Sequence, residues 1–220
     1  MSVTQNLSEL KKTIPGNVTL IAVSKTQPIQ LIEEAYNVGH RDFGENKVQE
    51  LIQKRDELPE DIRWHMIGHL QTNKVKYILP FVHLIHGVDS LKLLKEINKR
   101  SNNINKVTSV LLQIHIADEG TKFGFDYKEI LDLVSEDYFV NFDKISIKGF
   151  MGMATNTQDE NKIRREFKRL SHFFNEMKPH FSNDFNTLSM GMSGDYKIAM
   201  EEGSTMVRVG SKVFGARNYS

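Results

Sequence analysis

Two periodicities alternate along the chain. Runs rich in β-branched and aromatic residues, with a period near two, cover Val18–Lys25, Arg41–Glu45, Arg63–Gly68, Leu84–Asp89, Ser109–Ala117, Ser146–Ala154, Thr187–Met192 and Met206–Phe214. Between them, apolar positions recur every three to four residues in Pro28–Val38, Glu45–Glu57, Thr72–Leu79, Ser90–Ser101, Tyr127–Ser135, Gln158–Met177 and Asp195–Glu202, and a further helical stretch spans Val3–Lys12. Repeated switching between the two periods predicts strand–helix units. Boundary signals agree. Pro28 suits a first helical turn. Ser90 precedes Leu91, Leu93 and Leu94 as an N-cap would. Gly39 and Gly203 sit where left-handed C-caps favour glycine. Gln158–Met177 reads as a solvated helix burying Ile163, Phe167, Leu170 and Phe174. Eight strands with intervening helices favour a closed (β/α)8 barrel over a doubly wound open sheet. No Pro/Gly/Ser-rich linker divides residues 1–220, so one barrel domain with an N-terminal helix is expected.

Composition narrows the function classes. The 220 residues carry 29 Lys+Arg against 28 Asp+Glu, a net charge of +1. That balance argues against nucleic-acid binding, and Lys11-Lys12 and Arg164-Arg165 are too short to make a basic patch. The chain has no cysteine, which removes disulfides, thiolate metal sites and thiol nucleophiles and fits a reducing compartment. No apolar run approaches the ~18 residues of a membrane span. The stretch Met1–Lys12 lacks the apolar segment of a signal peptide. A soluble cytoplasmic protein is expected.

In such a barrel the reactive groups gather at the C-terminal ends of the strands. Side-chain alternation puts Ile21, Val23 and Lys25 on one face of the first strand, which points Lys25 into the barrel mouth. Apolar walls disfavour the charged form of an amine, and a neutral amine is what Schiff-base formation needs. The plainer alternative is a solvated strand-end lysine. On the last strand, Arg208 and Gly210 share a face opposite Val207 and Val209. An inward guanidinium demands a partner, Gly210 lets a ligand approach the backbone, and Ser211 adds a hydroxyl. Strand seven ends in Met190-Gly191-Met192-Ser193-Gly194-Asp195, a turn whose backbone amides can meet an anion; alone it reads equally as a tight turn with Asp195 as N-cap. Both features fall on the strands that usually carry phosphate in these barrels. Asn46, after Phe43-Gly44-Glu45, is a ligand donor or a helix cap. His65 and His69 lie too far apart on a strand to share a metal, and no metal is expected. Asp118–Gly124 is a lid or a turn. A lysine, an arginine and an anion cradle around one mouth suit an aldehyde joined to a phosphate. Pyridoxal 5′-phosphate is such a molecule; a Schiff-base aldolase acting on a phosphosugar fits the same groups.

Several motifs extend the reading. Ala22-Val23-Ser24-Lys25-Thr26, Phe43-Gly44-Glu45-Asn46, Trp64–Lys74 and His86-Gly87-Val88-Asp89-Ser90 are four of them. Gly149–Ala154, Leu188–Ser193 with Asp195, Arg208-Val209-Gly210-Ser211 and Phe214-Gly215-Ala216-Arg217 complete the set. In order and over nearly the whole chain, the set resembles the pyridoxal phosphate homeostasis proteins (YggS/PROSC type). The resemblance implies a single fold-type-III barrel, like the N-terminal barrel of alanine racemase without that enzyme's second domain. It implies Lys25 as the Schiff-base lysine and Arg208 facing the pyridine nitrogen. It places Ser193, Gly210 and Ser211 on the phosphate with the Met192 amide, and Asn46 near the ring. Many relatives have Thr at the position of Ser211, which keeps the hydroxyl.

An arginine donates and never accepts, so it keeps the ring nitrogen unprotonated and the ring a weaker electron sink. Racemisation also needs a base on the opposite face, which two-domain racemases take from a neighbouring subunit's added domain. The expectation is a monomeric cofactor carrier, with apo-enzymes as partners, rather than an efficient racemase or decarboxylase. Lys122 is a further position at which the aldehyde would rest during release.

Overall fold

A computed structural model describes residues 2–117 and 123–215. Eight parallel strands close into a barrel in sequential order. They are β1 (Thr19–Val23), β2 (Asp42–Glu45), β3 (Arg63–Met66), β4 (Leu84–Val88), β5 (Thr108–Gln113), β6 (Ile145–Met151), β7 (Thr187–Ser189) and β8 (Met206–Val209). Closure runs through the pairing of β1 with β8, which sets Ile21 opposite Arg208. The helices are α1 (Val3–Lys12), α2 (Ile29–Asn37), α3 (Val48–Glu57), α4 (Val75–Ile78), α5 (Leu91–Asn103), α6 (Tyr127–Ser135), α7 (Glu160–Met177), α8 (Tyr196–Glu201) and α9 (Ser211–Phe214). No helix among the described residues is long and apolar enough to cross a membrane.

Alternation along each strand sorts side chains to the two faces of the wall. Ala22, Phe43, Ile85, Leu112, Phe150, Leu188 and Val207 pack outward into the core beneath the helices. Ile21, Leu84, Leu111, Met151 and Met206 form a separate cluster in the barrel interior. The stripe expected on α7 is buried as read, with Phe173 and Met177 added. It meets an aromatic stack in which Phe150 lies face to face with Phe173 at 5.4 Å and edge-on to Phe185 at 5.0 Å. Ser90 caps α5 through the Leu93 amide. Gly39 and Gly203 follow their helices with φ of 80° and 93°.

The last strand is shorter than its apolar run. Gly210 turns the backbone to the helical region at φ −112°, ψ −71°. Val213 and Phe214 therefore leave the sheet and are buried on α9 instead. Among the described residues, β6 carries the one strand conformation that requires glycine. Gly149 has φ +148°, and a Cβ there would lie 1.8 Å from the Thr187 carbonyl oxygen, at a register shift against β5.

Candidate functional site

The strand ends enclose a cavity of about 430 Å³, lined by Val23, Lys25, Asn46, Arg208 and Ser211 among others. That volume lies within the ~300–1,000 Å³ of small-molecule sites. Ile21, Val23 and Lys25 do share the interior face: Ile21 sits in the interior cluster, and Val23 and Lys25 line the cavity.

The residues either side of Lys25 are tied down. Ser24 is fully buried, and its hydroxyl donates to Glu45 Oε1 at 2.6 Å. Lys54, on α3, donates from one ammonium to the Ser24 carbonyl at 2.7 Å, Glu45 Oε1 at 2.8 Å and Glu50 Oε1 at 2.7 Å. The Thr26 amide donates to the same Glu50 oxygen. Thr26 takes φ 61°, a left-handed conformation that costs a β-branched residue energy and persists only where its surroundings enforce it. Glu45 Oε2 is buried without a hydrogen-bond partner. Burial pushes this carboxyl up against the pull of Lys54.

Arg208 reaches the cavity from inside the barrel and is 4% exposed. Its partners are neutral. Nη1 donates to the Ser189 carbonyl at 2.8 Å and the Ser189 hydroxyl at 2.6 Å, and Nη2 to the Gly152 carbonyl at 3.1 Å. The sequence demanded a partner for this charge, and carbonyl and hydroxyl oxygens meet the demand. Burial lowers the guanidinium to about 10, so it stays charged at neutral pH.

At the end of the same strand, the Gly210 amide donates to Ser193 Oγ at 3.1 Å, joining the β7–α8 loop to β8. Ser193, Gly194, Gly210 and Ser211 all line the cavity. Gly210 serves packing as well, since a Cβ there would meet the Val23 carbonyl oxygen at 3.1 Å. Met192 departs from expectation. Its amide donates to Asp195 Oδ1, so that amide is directed at a carboxylate of its own turn, although Met192 lines the cavity. Asp195 stands at the N-cap of α8 without bonding the helix's first turn; burial pushes its carboxyl up while the Met192 amide draws it down. Asn46 is brought in by close strand packing. A Cβ on Gly68 would lie 2.5 Å from the Asn46 carbonyl oxygen, so the ends of β2 and β3 can approach only with glycine there.

His65 and His69 separate. His69 is exposed and pairs with Asp89 at 2.8 Å, whereas His65 is buried in the barrel interior. Among the described residues no group of three or more His, Asp or Glu side chains is placed to hold a metal ion. Lys122, most of the Asp118–Gly124 loop and Ala216-Arg217 lie outside the described residues. Sequence reading missed the Lys54–Glu45–Glu50 cluster and a polar line through the interior joining Asp42, His65, His86 and Ser189. The only signal for the latter was a set of polar residues at inward positions of strands that are otherwise apolar.

Comparison with known proteins decides the family. Residues 2–218 match the family model described as alanine racemase, N-terminal domain. A pyridoxal phosphate homeostasis protein of Aquifex aeolicus (strain VF5) is 38% identical over 201 residues, covering 91% of this chain and 87% of the relative. The chain belongs to the pyridoxal phosphate homeostasis protein family. Another similar protein is PipY of Synechococcus elongatus PCC7942. Its structure without PLP matches this homeostasis-family barrel with TM-score 0.90 at 32% identity, covering 97% of this chain and 100% of PipY. Its structure with PLP bound matches with TM-score 0.86 at 33% identity, over the same shares of the two chains. Alanine racemase from Bartonella henselae, with covalently bound pyridoxal phosphate, matches with TM-score 0.74 at 17% identity, covering 97% of this chain and 58% of that one. That likeness shows the shared (β/α)8 fold.

Proposed function

We propose that this protein binds pyridoxal 5′-phosphate as a Schiff base on Lys25 and takes part in its intracellular supply, without efficient catalysis. The supporting observation is convergence. An amine, a guanidinium and a hydroxyl-bearing loop pair from β1, β8 and the β7–α8 turn line one cavity, in a chain similar to PipY, a structure of which has PLP bound. In this reading the Lys25 amine condenses with the aldehyde, forming C=N and releasing one water. Ser193 and Ser211 would take the phosphate beside the Gly210 turn, Arg208 would face the pyridine nitrogen, and Asn46 would lie beside the ring.

The reading as a carrier rests on what the cavity lacks. Racemisation needs a second acid–base group across from the lysine, and no His, Tyr, Asp or Glu is among the described residues that line it. A guanidinium against the ring nitrogen also leaves that nitrogen unprotonated, which weakens carbanion stabilisation. The competing reading, a racemase- or decarboxylase-like enzyme, draws on a neighbouring cavity of about 240 Å³. It contains His115 and shares Met153 and Met192 with the first.

Borohydride reduction of the loaded protein followed by peptide mass spectrometry tests the assignment. The pyridoxyl group is expected on the peptide bearing Lys25; finding it on Lys122 or elsewhere overturns it. Incubation with amino acids in deuterium oxide tests the carrier role, for which Cα exchange stays at the rate of free cofactor. Recipient apo-enzymes, a monomeric state and a cytoplasmic location complete the proposal. Light scattering checks the second of these, and cofactor transfer to an apo-enzyme checks the first.

A further inference from the structure

Arg208 carries a buried positive charge with no carboxylate in hydrogen-bond contact. The carboxylate that acts on it is Asp195 of the β7–α8 turn, without a hydrogen bond between them, and the hydrogen-bond partners of Arg208 continue as a polar line across the barrel. Ser189 Oγ, which accepts from Arg208 Nη1, is 3.0 Å from His86 Nδ1. His86 Nε2 is 3.0 Å from His65 Nδ1. His65 Nε2 is 3.2 Å from Asp42 Oδ1, and Arg63 grips both Asp42 oxygens from outside. The line starts at β8, crosses the lumen from β7 to β4 and ends at the first residue of β2, at the far end of the barrel from the cavity.

Its ends fix the direction of every hydrogen. A guanidinium only donates and a carboxylate only accepts. Asp42 must therefore receive a hydrogen from His65 Nε2, which leaves His65 Nδ1 as an acceptor. His86 Nε2 must then carry a hydrogen, His86 Nδ1 must accept, and the Ser189 hydroxyl must donate to it. The reverse order would set His65 Nε2 lone pair against the carboxylate. Every member is satisfied with both rings neutral. Burial lowers both rings, opposed at His65 by Asp42. The other charged or titratable groups acting on them are Arg63, Arg208 and His83, whose ring lies 5.3 Å from that of His65.

We propose that Asp42, His65, His86 and Ser189 are positioning residues for Arg208, forming a proton-ordered line that holds its guanidinium in one orientation against the cavity. What that guanidinium touches rests on the cofactor reading above; the line itself does not.

The test separates the two. In 15N-labelled protein without cofactor, both rings are expected neutral with hydrogen on Nε2, and the Arg208 guanidinium hydrogens slow to exchange with water. Asp42→Leu removes the acceptor that fixes the order, so the rings are expected to lose their uniform Nε2-bound hydrogen. Ser189→Ala removes the hydroxyl and is expected to speed Arg208 hydrogen exchange at least about tenfold. Circular dichroism and thermal melting confirm that each variant is folded; if Ser189→Ala does not fold, His86→Gln serves as the second break. In loaded protein, either break is expected to shift the visible absorbance of the cofactor and weaken its retention about tenfold, equivalent to ~1.4 kcal/mol. A charged ring, an Nδ1-bound hydrogen in the unmutated protein, or Arg208 exchange unchanged by a break overturns the proposal. Failure of the unmutated protein to take up pyridoxal 5′-phosphate overturns the cofactor reading instead, and the ring and exchange measurements still decide the line.

Discussion

Lys54 reaches three oxygen atoms with one ammonium, and one of its two carboxylate partners, Glu45, is fully buried. Lys54→Met would leave Glu45 without its cation in a medium that penalises lone charge. A cost of about 3–5 kcal/mol is expected from breaking such a pair, read as a lowered urea midpoint. Because the same ammonium holds the Ser24 carbonyl, cofactor retention on Lys25 should weaken with it. Tyr127 is the opposite case. Its hydroxyl is buried with no partner, and burial pushes it up to about 12. Tyr127→Phe removes an unmade hydrogen bond while keeping the ring, which lies edge-on to Phe173 at 4.8 Å. The melting temperature is expected to hold or rise, since an unsatisfied buried polar group costs ~1–3 kcal/mol. The residues that line the cavity were legible in the sequence because alternation and glycine spacing are local. Lys54, Glu45, His86 and Ser189 were not, because each draws its meaning from partners on other strands and helices.

At the level of elements, periodicity located all eight strands, and errors gathered at their ends. The β8 run was read through to Phe214 because Val213 and Phe214 continue its apolar character. Only the turn at Gly210 distinguishes a buried strand end from a buried single-turn helix. The bulge in β6 is likewise silent in composition. Gly149→Ala would combine a positive φ with a Cβ at 1.8 Å from the Thr187 oxygen, forcing β6 and β7 apart. We expect a loss of at least about 2 kcal/mol, with faster amide exchange along β7. Phe150→Ala, under the same strand, should cost ~3–5 kcal/mol, because the ring stacks on Phe173 and meets Phe174 and Phe185 edge-on.

For the whole molecule, buried neutral histidines set an acid limit. Burial lowers His40 from 6.5 to about 4. Unfolding returns it to its ordinary value, so the unfolded chain binds a proton first as pH falls. Stability is complete above pH about 6.5 and declines down to pH about 4, by ~3 kcal/mol from this residue. His65 and His86 act in the same direction. At Asp42 burial raises the carboxyl, but hydrogen bonds from Arg63 and His65 outweigh it and hold it well below the usual carboxylate range. Its share is lost only at more acid pH. Urea midpoints measured from pH 7 to 4 should fall steadily, and His40→Gln should flatten the slope. Closure of the wall also fixes when the protein becomes competent. Ile21 pairs with Arg208, so the lysine made early in translation waits for the last strand before any pocket exists around it. A chain that stops ahead of β8 therefore closes no pocket, and under the proposed function a polypeptide truncated there should keep Lys25 but retain no cofactor.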